Sequence, residues 1–129
     1  MIKVLSFGYI EDLLRKRHQL LADAGFDVTS LETKSAVVRL LEREAFDVLV
    51  IGHGVPLRDR NEVAGKAKCQ TGTQVIFLYR WNINKAEYAD AVLSVDGCAE
   101  HLLETIQRIA NAAKAEAPPK RKKRFFNLG

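Results

Sequence analysis

Short apolar runs rich in β-branched residues alternate along the chain with longer stretches whose apolar positions recur at helical spacing. The first run, IKVLSF at 2–7, reads as a strand closed by Gly8. Over residues 10–24 the apolar positions Ile10, Leu13, Leu14, Leu20, Leu21 and Ala24 share one helical face, while Glu11, Asp12, Arg15, Lys16 and Gln19 face water. Gly25 is placed to stop that helix in the left-handed conformation that suits glycine. A second strand is predicted over 26–30. Thr33 follows as the N-cap of a helix running to 44, with Ala36, Val37, Leu40 and Leu41 as its buried stripe.

The densest run is VLVI, inside FDVLVIGHGVP at 46–56. It is apolar without alternation and bounded by Asp47 on one side and by Gly52, Gly54 and Pro56 on the other, the pattern of a central parallel strand covered on both faces. Residues 58–70 form the weakest helical stretch. Gly65 interrupts it and only Val63, Ala64 and Ala67 offer an apolar face, which predicts a short or frayed helix. TQVIFLY at 73–79 has strong strand propensity. Residues 84–88 fit one or two helical turns, and 91–95 a fifth strand. A last helix over 98–113 buries Leu102, Leu103, Ile106, Ile109 and Ala110. Pro118 and Pro119 close the domain, dividing the chain into a domain at 1–115 and a flexible basic tail at 116–129.

Repeated alternation of strand and helix calls for a parallel sheet with right-handed crossovers and helices on both faces. The expected fold is a three-layer α/β/α sandwich around a five-stranded parallel sheet in the order 2-1-3-4-5, which is flavodoxin-like. In such sheets ligands sit in the crevice beyond the carboxyl ends of the strands. That directs attention to Gly52 and His53.

At 129 residues and 47% apolar, the chain is expected to hold one domain with enough core to fold unaided. No apolar run approaches the ~20 residues of a membrane span. A strand pattern begins at Ile2 in place of a secretory signal, so a cytoplasmic location is expected. Cys69 and Cys98 lack CxxC or zinc-ligand spacing and are expected to be reduced. Neither a metal nor another cofactor is expected. The net charge of +4 conceals an asymmetry: of 20 basic residues, five are the consecutive Lys120, Arg121, Lys122, Lys123 and Arg124, and the other 15 face 16 acidic ones. Nucleic-acid or anionic-membrane binding therefore rests on the tail alone, where Phe125, Phe126 and Leu128 adjoin the cations.

At the strand ends the sequence offers no carboxylate and no nucleophile, only His53 between two glycines, with Tyr9, Tyr79 and Arg80 as expected neighbours and Ser6 on the adjacent strand. A hydrolase needs a nucleophile, a base and an orienting acid within reach, and no spacing announces them. An enzyme is not expected. His53 reads as a loop histidine, and His18 and His101 as surface ones. Trp81 beside Arg80 is a candidate interface anchor.

The segments VLSFGYIEDLL, AGFDVTSLETKSAVVRLLEREAFDVLVIGHGVP, QVIFLYR and ADAVLSVDGCAEHLLETIQRI, above all AGFDV, FDVLVI and the proline beyond that strand, carry a family likeness. Over about residues 2–113 the chain resembles the receiver domain of bacterial two-component response regulators (CheY-like). The resemblance implies a phosphorelay in which an aspartate ending the third strand accepts a phosphoryl group and two acids after the first strand hold Mg²⁺. A hydroxyl residue ending the fourth strand and a lysine ending the fifth bind the phosphoryl oxygens. Here Gly52 stands at the acceptor position and Gly8 and Tyr9 at the acids. Tyr79 replaces the small hydroxyl residue, Val95 followed by Asp96 replaces the lysine, and Val92 matches the aromatic switch.

The resemblance thus implies a degenerate pseudo-receiver whose pocket comprises Gly8, Tyr9, Gly52, His53, Tyr79 and Val95. It is expected to act in signalling without phosphate or metal, by contact with a protein partner, by self-association or through a small ligand. The alternative is a nucleic-acid or anionic-membrane binder working through Lys120 to Arg124.

Overall fold

The computed structural model describes residues 1–80, 88–95 and 99–128, with side chains through residue 113. Its strands are β1 (Lys3–Phe7), β2 (Asp27–Leu31), β3 (Val48–Ile51), β4 (Gln74–Tyr79) and β5 (Ala91–Ser94). Its helices are α1 (Glu11–Asp23), α2 (Lys34–Arg43), α3 (Leu57–Thr71) and α4 (Ala99–Leu128). The strands form one parallel sheet in the order β2-β1-β3-β4-β5, the order expected from the alternation.

Strand periodicity separates two cores. Leu5, Phe7, Leu49, Ile51, Val75 and Phe77 point to one face and meet Val37 and Leu41 of α2 and Val63, Ala64 and Ala67 of α3. Val4, Val48, Val50, Ile76 and Leu78 point to the other and meet Leu21 of α1 and Leu102, Ile106 and Ile109 of α4. All four side chains of β3 are buried, since a central strand is covered from both sides. Each fully buried Leu, Ile or Phe contributes about 1.5–3 kcal/mol of hydrophobic stabilisation. Ser6, two residues beyond Val4, shares its face and so looks to the α1 and α4 side, fully buried.

The local punctuation follows the sequence reading at two places. Gly25 has φ 96° just beyond α1, and the Thr33 hydroxyl accepts from the Ala36 N–H at 3.2 Å, capping α2.

Two helices differ from expectation. α3 is an unbroken helix of 15 residues, not a short or frayed one. Gly72, at φ 69°, ends it in the left-handed conformation, and the bare face of Gly65 receives the Tyr88 ring, whose Cε2 lies 3.2 Å from the point a Cβ would occupy. The glycine that weakens the helix locally is the one that lets the chain before β5 pack on it. α4 continues to Leu128, beyond the end expected near residue 113 and through Pro118 and Pro119. Residues 81–87 and 96–98 lie outside the description, and with them the helical turns expected over 84–87, Trp81, Asp96 and Cys98.

Candidate functional site

At the carboxyl edge of the sheet, parallel pairing of Phe7 with Ile51 brings Gly8 and Gly52 side by side, and the Gly52 N–H donates to the Phe7 carbonyl at 2.8 Å. The space in front of the two glycines is taken by Arg17. This residue stands on the apolar stripe of α1, one turn beyond Leu13 and Leu14 and one before Leu20 and Leu21, so its side chain is directed at the sheet. Its Nε donates to the Ser6 hydroxyl at 2.9 Å and its Nη2 to the Phe7 carbonyl at 3.3 Å. Nη2 lies 3.1 Å from where a Cβ on Gly8 would stand and 3.2 Å from where one on Gly52 would stand. A side chain at either position would crowd the guanidinium. Burial pulls the Arg17 pKa down to about 10, and among the described residues no carboxylate pairs with it.

Tyr9 does not join this group. Its ring stands edge-on to Phe7, with centroids 5.3 Å apart, and its hydroxyl donates to Asp59 of α3 at 2.8 Å. Lys34 of α2 bridges Asp59 at 3.4 Å and Glu62 at 3.2 Å. Partial burial, then the Asp59 hydrogen bond, raises the Tyr9 pKa. The Tyr9 hydroxyl is the main cause lowering that of Asp59, with Lys34 adding to it, and the Glu62 and Asp59 bonds raise that of Lys34. This network ties the loop after β1 to α2 and α3.

A second arginine organises the loop after β3. Arg60, on the α3 stripe with Val63, Ala64 and Ala67, is only 7% exposed. Its Nε donates to the Val55 carbonyl at 2.6 Å, Nη1 to Leu78 at 2.8 Å and Nη2 to His53 at 2.8 Å, while the guanidinium lies 5.8 Å over the Phe77 ring. It stitches the GHGVP turn to the end of β4. Sequence reading named neither Arg17 nor Arg60; the available signal was a cation at a stripe position in each helix.

Of the remaining expected residues, His53, Tyr79, Arg80 and Val95 do come together. With Arg17 and His101 they line a cavity of about 500 Å³ between α1, the ends of β4 and β5, and the start of α4. Val92, exposed on β5, borders it too. Ser6 is engaged by Arg17. His18 is not a plain surface histidine: it is half-buried on α1, and its Nδ1 hydrogen-bonds the Ser30 hydroxyl of β2 at 2.7 Å. The side chains of Lys120, Arg121, Lys122, Lys123 and Arg124 lie outside the description.

The residues present do not fit the divalent cation that the resemblance implies. A guanidinium, itself a cation, fills the space beside Gly8 and Gly52, and Tyr9 is turned onto Asp59. Among the described residues, no three His, Cys, Asp or Glu side chains are grouped to hold a metal ion. No described helix is long and apolar enough to cross a membrane.

A five-stranded parallel sheet in this order, layered by helices on both faces, defines the flavodoxin-like, CheY-like α/β fold. Comparison with solved structures finds the same fold in response-regulator receiver domains. The chain superposes on a receiver domain protein from Methanospirillum hungatei JF-1 with a TM-score of 0.80 at 19% identity, covering 91% of this chain and 99% of that one. A receiver domain protein from Clostridium thermocellum gives 0.80 at 20% identity over 89% and 98%. The receiver domain of a sensor histidine kinase from Pseudomonas aeruginosa PAO1, whose structure has magnesium coordinated in its active-site cleft, gives 0.73 at 17% identity over 85% and 98%. No protein-family model matches the sequence, and no curated protein matches it.

Proposed function

We propose that the chain is a receiver-like signalling module that does not take a phosphoryl group at the usual strand-end site and works by contact with a protein partner. The observation that carries this reading is the Arg17 guanidinium lodged against Gly8 and Gly52. Glycine has no atom to phosphorylate. A fixed positive charge in front of it disfavours a divalent ion electrostatically, and Tyr9 is engaged with Asp59. Output is delivered through a surface of the α/β body instead of by turnover.

The test is incubation with acetyl phosphate and Mg²⁺, followed by intact-mass measurement, with a phosphorylatable receiver alongside. The expected mass is unchanged. A phosphoryl adduct on the folded protein refutes the reading.

A second reading draws on the five consecutive cations 120–124, whose backbone lies within α4. It makes the body a carrier for a nucleic-acid or anionic-membrane binder. Deleting 118–129 separates the two. Loss of retention on heparin and anionic vesicles at low salt, with no partner captured by the body, favours the tail. Partner capture that survives the deletion favours the body.

A further inference from the structure

The cavity beside Arg17 has a composition that points to a ligand. Its polar side is built from Arg17, half-buried at the floor, and Arg80 and His101, exposed at the rim, with His53 alongside. No Asp or Glu is among the described residues that line it. Its walls are leucines from four elements: Leu13 and Leu20 of α1, Leu78 of β4, Leu93 of β5 and Leu102 of α4. At about 500 Å³ it lies within the range of small-molecule sites. Within the protein, Arg17 donates through Nε to Ser6 and through Nη2 to Phe7. Its Nη1 has no partner among the described residues. A desolvated guanidinium facing carbonyl and hydroxyl oxygens, with no anion, keeps most of its capacity to bind one, and its planar fork suits carboxylate and phosphate oxygens.

We propose that this cavity binds a small amphiphilic oxyanion, with a carboxylate or phosphate head on Arg17 and Arg80, beside His101, and an apolar body along the leucine walls. The site is separate from the position where receivers are phosphorylated, although Arg17 borders both. For its role in signalling the proposal rests on the reading above, since ligand occupancy would supply the input. As a binding site it stands alone. A protein that accepts phosphate yet binds the probe loses that reading and keeps this site, and an unmodified protein without probe binding does the reverse.

The test is calorimetric titration of the full chain with octanoate and with octyl phosphate, against octanol and inorganic phosphate as partial ligands. At least one of the two amphiphilic anions should bind saturably at one site, about tenfold or more tighter than either partial ligand. Arg17→Met should lose that binding. Because Arg17 also supports the strand ends, Arg80→Glu and His101→Glu, both on exposed residues, provide the readout that leaves folding intact. Each should weaken binding several-fold without moving the melting temperature. Methyl NMR shifts should centre on Leu13, Leu93 and Leu102. Octanol binding as well as octanoate, unchanged affinity in both rim variants, or no saturable binding of either anion overturns the proposal.

Discussion

The Arg17 guanidinium stands 3.2 Å from the point where a Cβ on Gly52 would lie, so an α1 residue decides what the end of β3 can carry. In Gly52→Asp the new carboxylate meets a cation already in place and pairs with it. Gly8 and Tyr9 still offer no acids for a metal. The variant is expected to stay unmodified by acetyl phosphate and Mg²⁺ in intact-mass measurement. Carbon NMR should place its carboxyl pKa below the ordinary aspartate value, because Arg17 favours the charged form. Phosphoryl uptake by this single variant would mean that Arg17 yields to a metal.

Arg60 satisfies three backbone carbonyls at once, those of His53, Val55 and Leu78. Replacing it with Met keeps much of the buried stem but leaves those oxygens without their donor. Urea unfolding of Arg60→Met should show a loss on the order of 3 kcal/mol, because unsatisfied buried acceptors cost more than the net worth of the bonds they lose. A loss no larger than that of an ordinary surface substitution would show that water replaces the guanidinium.

Gly65 and Tyr88 should be coupled. In an uncrowded helix interior Gly→Ala stabilises by about 1 kcal/mol. Here the added methyl meets the Tyr88 ring at 3.2 Å, so Gly65→Ala should gain little or lose stability in the parent protein. It should recover the stabilisation of about 1 kcal/mol in a Tyr88→Ala background. Equal effects in both backgrounds would show that the ring moves aside freely.

The Tyr9 and Asp59 pair gives a pH signature. The Asp59 pKa is held below its ordinary value of 3.8 chiefly by the Tyr9 hydroxyl. Its contribution to stability is therefore complete above that value and is lost as pH falls through the lower folded-state pKa. Tyr9 is shifted the other way, above 10.0. Its contribution is complete below that value and fades as pH rises through the folded-state pKa. In Tyr9→Phe, NMR titration should find the Asp59 carboxyl returned upward toward 3.8. An unchanged Asp59 titration would show that Lys34 alone sets it.

The alternation of strand and helix, the buried run Val48 to Ile51, the Gly25 stop and the Thr33 cap were all legible in the chain, because each is a local pattern whose period reports which face is covered. Local propensity misled at Gly65, where a ring from a distant segment packs on the helix, and at Pro118, which α4 runs past. That Gly8 and Gly52 follow the first and third strands was also readable. What occupies the space in front of them was not. Arg17 and Arg60 sit on apolar stripes, which marks them as unusual, but spacing along a helix says nothing about what a long side chain reaches.

The sequence by itself thus determined the layers, the strand order and the glycine that follows β3, since these follow from periodicity and residue identity. Tertiary structure decided that one arginine fills the strand-end crevice, that another pins the neighbouring loop, and that His53, Tyr79, Arg80 and Val95 share a cavity with Arg17. Those outcomes depend on contacts between elements far apart in the chain, and such contacts exist only once the sheet has aligned its carboxyl ends.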